Sequence, residues 1–305
     1  MIVEKVSTMI QNVAWGRDRT MNKRTPQFSA RSRSVELSQR LWLVCALSLA
    51  MISIAGRPVL SDGNTGRESS GALTVVELYT SQGCSSCPPA DAFLRDLSDR
   101  PDVLALSFHV DYWNTDEWQD PFSHKSFSLR QQAYREALNT DYVYTPQMVV
   151  GGSYAVPGGQ RPSINEAIEQ AASEQSSFLT LAIGRIANER IRVSVPSKRG
   201  DHSGTVYAAV YNSQSFTRVR GGENRGRTLS NINVVKRLVA LAPYTGKAQS
   251  FTFSLSDLDA LPSDGVAVFI QADKVGRILS AASIVPRAIP SAQVTLSQAE
   301  QPMLR

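Results

Sequence analysis

Cysteine, histidine and unbalanced charge are scarce in this chain of 305 residues, and each scarcity removes a class of function. There are 3 histidines and 3 cysteines. His109, His124 and His202 share no ligand spacing, so a structural zinc site, or any other metal site, is not expected. The formal charge of +5 is concentrated in one place: residues 1–40 hold 8 of the 32 Lys/Arg and 3 of the 27 Asp/Glu, leaving 24 of each in 41–305. The body of the chain thus lacks the basic excess that a nucleic-acid partner requires. Long apolar runs are missing too. The run Leu41–Ala55 has 15 residues, short of the roughly 18 expected of a membrane span.

That run follows Arg31, Arg33 and Arg40 and ends in Ser53-Ile54-Ala55. A basic flank, a short apolar core and a small-x-small end describe a secretory signal peptide over 1–55 with an extended basic n-region. The expected location is therefore periplasmic or secreted, with membrane attachment only if this segment stays uncleaved. Cleavage would remove Cys45 and leave Cys84 and Cys87 as the only cysteines, in an oxidising compartment where they have each other to pair with. Residues 56–72, rich in Gly, Ser and Asp, read as a flexible linker.

What is present centres on Cys84-Ser85-Ser86-Cys87-Pro88-Pro89. The β-branched and aromatic run Thr74–Thr80 reads as a buried strand, and Ala90, Phe93, Leu94 and Leu97 recur at helical spacing after the cysteines. A strand, a C-x-x-C pair and a helix in that order form the redox-motif context of a thioredoxin-like fold. A helix N-terminus stabilises a thiolate through its dipole and open N–H groups. Pro88-Pro89 departs from the usual dithiol helix, and a tight or distorted first turn is expected.

Further along, Val103–Val110 is a nearly continuous apolar run, as for a strand covered on both faces. An aromatic loop (Asp111–Phe122) and a helix from about Ser126 to Leu138 come next. Met148–Val150 and Ser153–Val156 flank Gly151-Gly152 as a hairpin. Ser163-Ile164-Asn165-Glu166 then has the form of a capping box opening another helix. From Phe178 the pattern changes to seven short strands, Leu179–Ile186, Arg190–Val195, Thr205–Tyr211, Asn233–Ala242, Gln249–Leu255, Val266–Ala272 and Ile278–Val285, without helices between them. The expected architecture is an α/β thioredoxin-like domain over 73–178, with a central mixed sheet and flanking helices. A β-rich sandwich-like domain over 179–286 and a loose tail over 287–305 complete it.

Val76–Asp91, Phe108–Asn114, Tyr144–Gln147 and Gly222–Leu229 together resemble a family of exported bacterial proteins known as domain of unknown function 1223 and placed with the thioredoxin-like folds. The resemblance spans roughly Leu73 to Pro286 and implies one two-domain unit, but brings no activity with it. By analogy with thioredoxin-like sites, Cys84 is the attacking thiolate and Cys87 the resolving cysteine. Pro146 is the expected cis-proline facing the dithiol, and Thr145 offers its backbone to a substrate chain. Glu77, on the strand beneath the motif, is the expected proton acceptor, its bland alternative being solvent exposure or a pair with Arg95. Trp113 and Asp111, with Trp118 and Asp120, are candidates for a substrate groove or for local core. Gly221–Arg227 reads as a structured connection in which Glu223 or Asn224 bonds loop backbone.

Two functions follow. One is an exported thiol–disulfide oxidoreductase acting on a protein or small thiol or disulfide, with no cofactor beyond the dithiol. The alternative is a non-enzymatic binding or scaffold protein of thioredoxin-like fold with a structural disulfide. Exchange requires that the Cys84 sulfur be reachable from solvent.

Overall fold

The computed structural model describes residues 73–284, apart from 176–179, 187–189, 199–202, 259–262, 264 and 273–274. The expected leader, linker and C-terminal tail lie outside the described residues.

The first strands form where β-branched and aromatic residues cluster. β1 (Thr74–Thr80) and β2 (Val103–His109) are parallel in register, Thr74 beside Val103 and Thr80 beside His109, and every residue of both is buried. Helix α1 (Pro88–Ser98) joins them, and α2 (Lys125–Ala137) follows β2, starting where the His124 ring accepts from the Ser126 N–H. β3 (Gln147–Val150) runs antiparallel to β1 and turns through Gly151-Gly152 into β4 (Tyr154–Pro157). Both glycines have positive φ, 60° and 69°. A side chain on Gly152 would also come within 2.4 Å of the Gly276 carbonyl, so only glycine fits there.

Helix α3 spans Arg161–Gln175, with the Ile164 N–H already bonded to the Gln160 carbonyl. The expected capping box at Ser163 therefore lies inside the helix, which begins two residues earlier. The distortion expected at Pro88-Pro89 is also absent. The Ala90 and Asp91 N–H groups bond the Cys87 carbonyl at 2.9 and 3.0 Å, an ordinary first turn with the prolines at the two positions that need no donor.

Seven strands follow, at the positions the alternation predicts: β5 (Ala182–Ile186), β6 (Arg190–Val195), β7 (Gly204–Arg218), β8 (Thr228–Tyr244), β9 (Gln249–Ser254), β10 (Gly265–Ala272) and β11 (Ile278–Ile284). Two are longer than expected. β7 and β8 make a hairpin whose far end extends well beyond the apolar alternation that marks its base.

The result is a mixed α/β protein with an eight-stranded sheet of order β11-β10-β7-β8-β2-β1-β3-β4 and a three-stranded sheet of order β5-β6-β9. The larger sheet takes four strands from before residue 178 and four from after it. Its two halves meet where Ser107 of β2 pairs with Val234 of β8. Beside that join, Asn233 adopts a positive φ of 45° and donates from Nδ2 to the Ala105 carbonyl. β8 keeps β7 along its other edge there, Val234 pairing with Asn212 as well as with Ser107.

Three cores result. Helices α1 and α3 bury Leu94, Leu97, Ile164 and Ile168 against Val76, Leu78 and Ala105 on one face. On the other face, Phe127 and Tyr134 of α2 share a core with Tyr79 and Phe108, and also with Ala209, Phe269 and Ile278 of the later strands. The third core lies between the three-stranded sheet and β7, β10 and β11.

Candidate functional site

Cys84 and Cys87 form a disulfide at the start of α1, their Cα atoms 5.5 Å apart. Each cysteine closes a tight turn, Cys84 N–H onto the Ser81 carbonyl and Cys87 N–H onto that of Cys84. Pro88 and Pro89 have no N–H, and those of Ala90 and Asp91 are taken by Cys87. Helix α1 thus offers the sulfurs its dipole but no free amide from its first turn.

The Thr145–Pro146 peptide is cis. It brings the Thr145 carbonyl oxygen to 3.9 Å from Cys84 Sγ, and the Ser86 hydroxyl lies 3.2 Å from the same sulfur. Trp113 completes this wall, donating from Nε1 to Thr145 Oγ1 at 2.7 Å. Gln131 of α2 secures the approach to the proline, its Nε2 donating to the Tyr144 carbonyl and to Gln147 Oε1. Cys84, Cys87, Thr145, Pro146 and Trp113 are therefore brought together.

Asp111 and Glu77 are directed elsewhere. The Asp111 carboxylate accepts from the Ser128 hydroxyl, which in turn accepts from the Asp111 N–H, tying the loop to α2. Glu77 lies on the opposite face of β1 from α1, because strand residues alternate and Val76 and Leu78 are the ones that pack against α1. There it accepts from Arg130 Nε and Nη2 at 2.7 and 2.8 Å and from the Tyr79 and Tyr134 hydroxyls. Arg130, not Arg95, is its partner. Glu77 cannot relay a proton to Cys87 through the sheet. Burial and the neighbouring carboxylate hold both phenols well above their usual pKa, so they remain donors.

Accessibility also departs from expectation: Cys84 is 1% and Cys87 0% exposed, whereas Ser85 and Ser86 face solvent. The tip of the β7–β8 hairpin is bonded to the backbone of the cysteine loop. Asn224, itself fully buried, donates from Nδ2 to the carbonyls of Gln82 and Cys84 at 3.0 and 2.8 Å. The exposed Glu223 carboxylate accepts from the Ser85 N–H at 2.8 Å, which lowers its pKa. Gln82 donates from Nε2 to Asn231 of β8. A side chain on Gly221 would meet the Glu117 carbonyl at 2.5 Å, so the tip also lies tight against the aromatic loop. The segment expected to be a structured connection is one, and it is built into the cysteine loop.

Among the described residues, no group of three or more His, Cys, Asp or Glu could hold a metal, and no helix is long and apolar enough to cross a membrane.

A family model described as protein of unknown function, DUF1223, matches residues 75–271, a span holding the cysteine pair, the cis-proline and the hairpin tip. The chain belongs to this family. DUF1223 carries no assigned activity. The crystal structure of protein AGR_C_4864 from Agrobacterium tumefaciens is similar, at 27% identity and a TM-score of 0.63 over 76% of this chain and 99% of that one. HBP35 of Porphyromonas gingivalis aligns over 77% of this chain and 80% of its own, at 14% identity and a TM-score of 0.48. No curated protein matches the chain.

Proposed function

We propose that this protein is an exported thiol–disulfide exchange protein whose dithiol is kept covered by the β7–β8 hairpin until a partner engages it. The observation that carries this reading is the placement of the Cys84 sulfur 3.9 Å from the carbonyl that precedes a cis-proline, at the N-terminus of a helix. Strand, C-x-x-C, helix, parallel strand and cis-proline hairpin follow the thioredoxin-like order, and the three-stranded sheet facing β7, β10 and β11 is the sandwich-like addition to it. An external thiolate attacks Cys84, and Cys87 leaves. In the reverse direction Cys87 resolves a mixed disulfide held on Cys84. Trp113 and Thr145 border the approach. Leader removal at Ala55 would leave this pair as the mature chain's whole cysteine content.

A second reading is favoured by one observation, the burial of both cysteines. In it the disulfide is static and the protein presents its surface to a partner. A bridge between residues three apart closes a small loop and constrains the unfolded chain weakly, which argues for exchange. Equilibration of the mature protein in glutathione buffers separates the two. An exchanging pair reduces within the glutathione range, while a static one stays oxidised below about −300 mV.

A further inference from the structure

On the α1 face of the sheet lies a buried polar set that the exchange step above leaves unused. Asp91 sits on α1 one turn after Cys87, its N–H on the Cys87 carbonyl at 3.0 Å. His109 ends β2, beside Thr80 of β1, and Asp120 comes from the aromatic loop. The three are 7%, 0% and 3% exposed. His109 Nδ1 and Asp120 Oδ2 are 2.7 Å apart, and that same oxygen accepts from the Gln82 N–H, two residues before Cys84.

The set is incompletely bonded. Asp91 Oδ1, His109 Nε2 and Ser107 Oγ are buried without a hydrogen-bond partner. Buried polar atoms are ordinarily satisfied, so several together on one patch call for an explanation, of which proton exchange is one. Burial pushes the Asp91 carboxyl up to about 6, with Asp120 adding to the rise and His109, Thr80 and Asn231 drawing it back. Burial also opposes a charge on His109, but the Asp120 carboxylate and, more weakly, Asp91 hold its pKa above the ordinary value.

The groups facing Asp91 are few. Cys87 shares its helix, and Arg95 is turned away to Ser230 of β8. β1 contributes Thr80, since Glu77 is on the opposite face. β2 contributes Ser107 and His109, the loop Asp120, and β8 the uncharged Asn231.

We infer that Asp91 is the proton partner of Cys87 and that His109 and Asp120 are the positioning residues that hold it ready. The inference rests on the exchange reading. When an external thiolate attacks Cys84 Sγ, the S–S bond breaks and its electron pair passes to Cys87 Sγ. That sulfur takes the proton of the Asp91 carboxyl, leaving a carboxylate opposite His109. In the reverse step the Cys87 thiol returns its proton to Asp91 as its sulfur attacks Cys84, and the external thiol departs as thiolate.

The test is reduction of the mature protein by dithiothreitol from pH 4.5 to 8.5, with rates expressed per dithiothreitol thiolate (a range bracketing the ordinary carboxyl and imidazole values). In the wild type this rate falls by about a hundredfold or more as pH rises through the Asp91 transition, the low end of what general acid catalysis contributes. It is low and flat in Asp91→Asn, and His109→Gln moves the midpoint. Near-ultraviolet circular dichroism identifies any variant that has lost its fold, and Asp91→Glu, which keeps the carboxyl, retains a pH transition. A wild type with the same profile as Asp91→Asn overturns this inference alone. A wild type that reacts with no thiol at any pH overturns the exchange reading, and this one with it.

Discussion

The two faces of β1 each bury an ionic set, and the two are built to opposite ends. Toward α2, Glu77 accepts four hydrogen bonds from Arg130, Tyr79 and Tyr134. Arg130 adds Gln271 Oε1 of β10 at 2.9 Å, and its guanidinium lies 5.0–5.9 Å from four aromatic rings. Charge is neutralised and the main donors are used, and through Gln271 the set ties the two halves of the large sheet together. Toward α1, Asp91, His109 and Asp120 are just as buried but leave polar atoms without partners. A fully bonded buried polar network rigidifies its surroundings, whereas an unpaired buried polar atom is costly. The difference teaches that burial alone does not identify the working acid.

Breaking the α2-side set should have the largest effect. Arg130→Met strands the Glu77 carboxylate in the core and should cost about 3–5 kcal/mol in urea unfolding, with part recovered by adding Glu77→Gln. A loss under 1 kcal/mol, that is, of surface-pair size, would contradict the structural role given to the pair.

Asp91→Asn should do the reverse at neutral pH. The folded pKa of Asp91 is raised to about 6 from 3.8, so the folded state favours its protonated form. Its contribution to stability is therefore fully present below pH 3.8 and is lost as pH rises through about 6. Replacing it should stabilise the protein by about 1–3 kcal/mol at pH 8 and give no gain at pH 3.5. An unfolding difference that does not vary with pH would exclude Asp91 as a titrating group.

Smaller effects belong to the hairpin tip. Asn224→Ala removes donors from two carbonyls of the cysteine loop and should cost about 1–3 kcal/mol. By freeing the cover over Cys84 it should also speed disulfide reduction by about tenfold, the equivalent of 1.4 kcal/mol. Unchanged reduction would mean that the tip does not govern access. Glu223→Gln weakens a charge-assisted bond at an exposed site, and should speed reduction by no more than about threefold, an effect that salt diminishes.

Much of the fold was legible because apolar periodicity was strong where the core is. Both parallel strands, the Gly151-Gly152 hairpin and all seven later strands lie close to where the pattern puts them. The extension of β7 and β8 was not, since Ser213–Arg218 is largely polar, none of it is buried and its single apolar residue, Phe216, is exposed, so no apolar face marks it. Glu77 was assigned to the wrong face for a related reason. In a strand buried on both sides, Val75 and Tyr79 look no different from Val76 and Leu78, so parity is visible but the helix-bearing side is not. Asp91 did leave a signal, falling four residues after Cys87 and three before Leu94, on the apolar stripe of α1. His109 did too, sharing parity with Val103 and Ala105 at the end of an apolar run. The anchoring of the cysteine loop involves residues some 140 positions away, as with the Asn224 bond to the Cys84 carbonyl, and no local pattern encodes that.

The reactivity of the Cys84 sulfur bears on the whole account. The Cys87→Ala variant, mixed with a peptide disulfide in native buffer and followed by intact-mass spectrometry, should form a one-to-one mixed disulfide at Cys84. No adduct until denaturant is added would contradict the account and leave a static bridge within a binding protein.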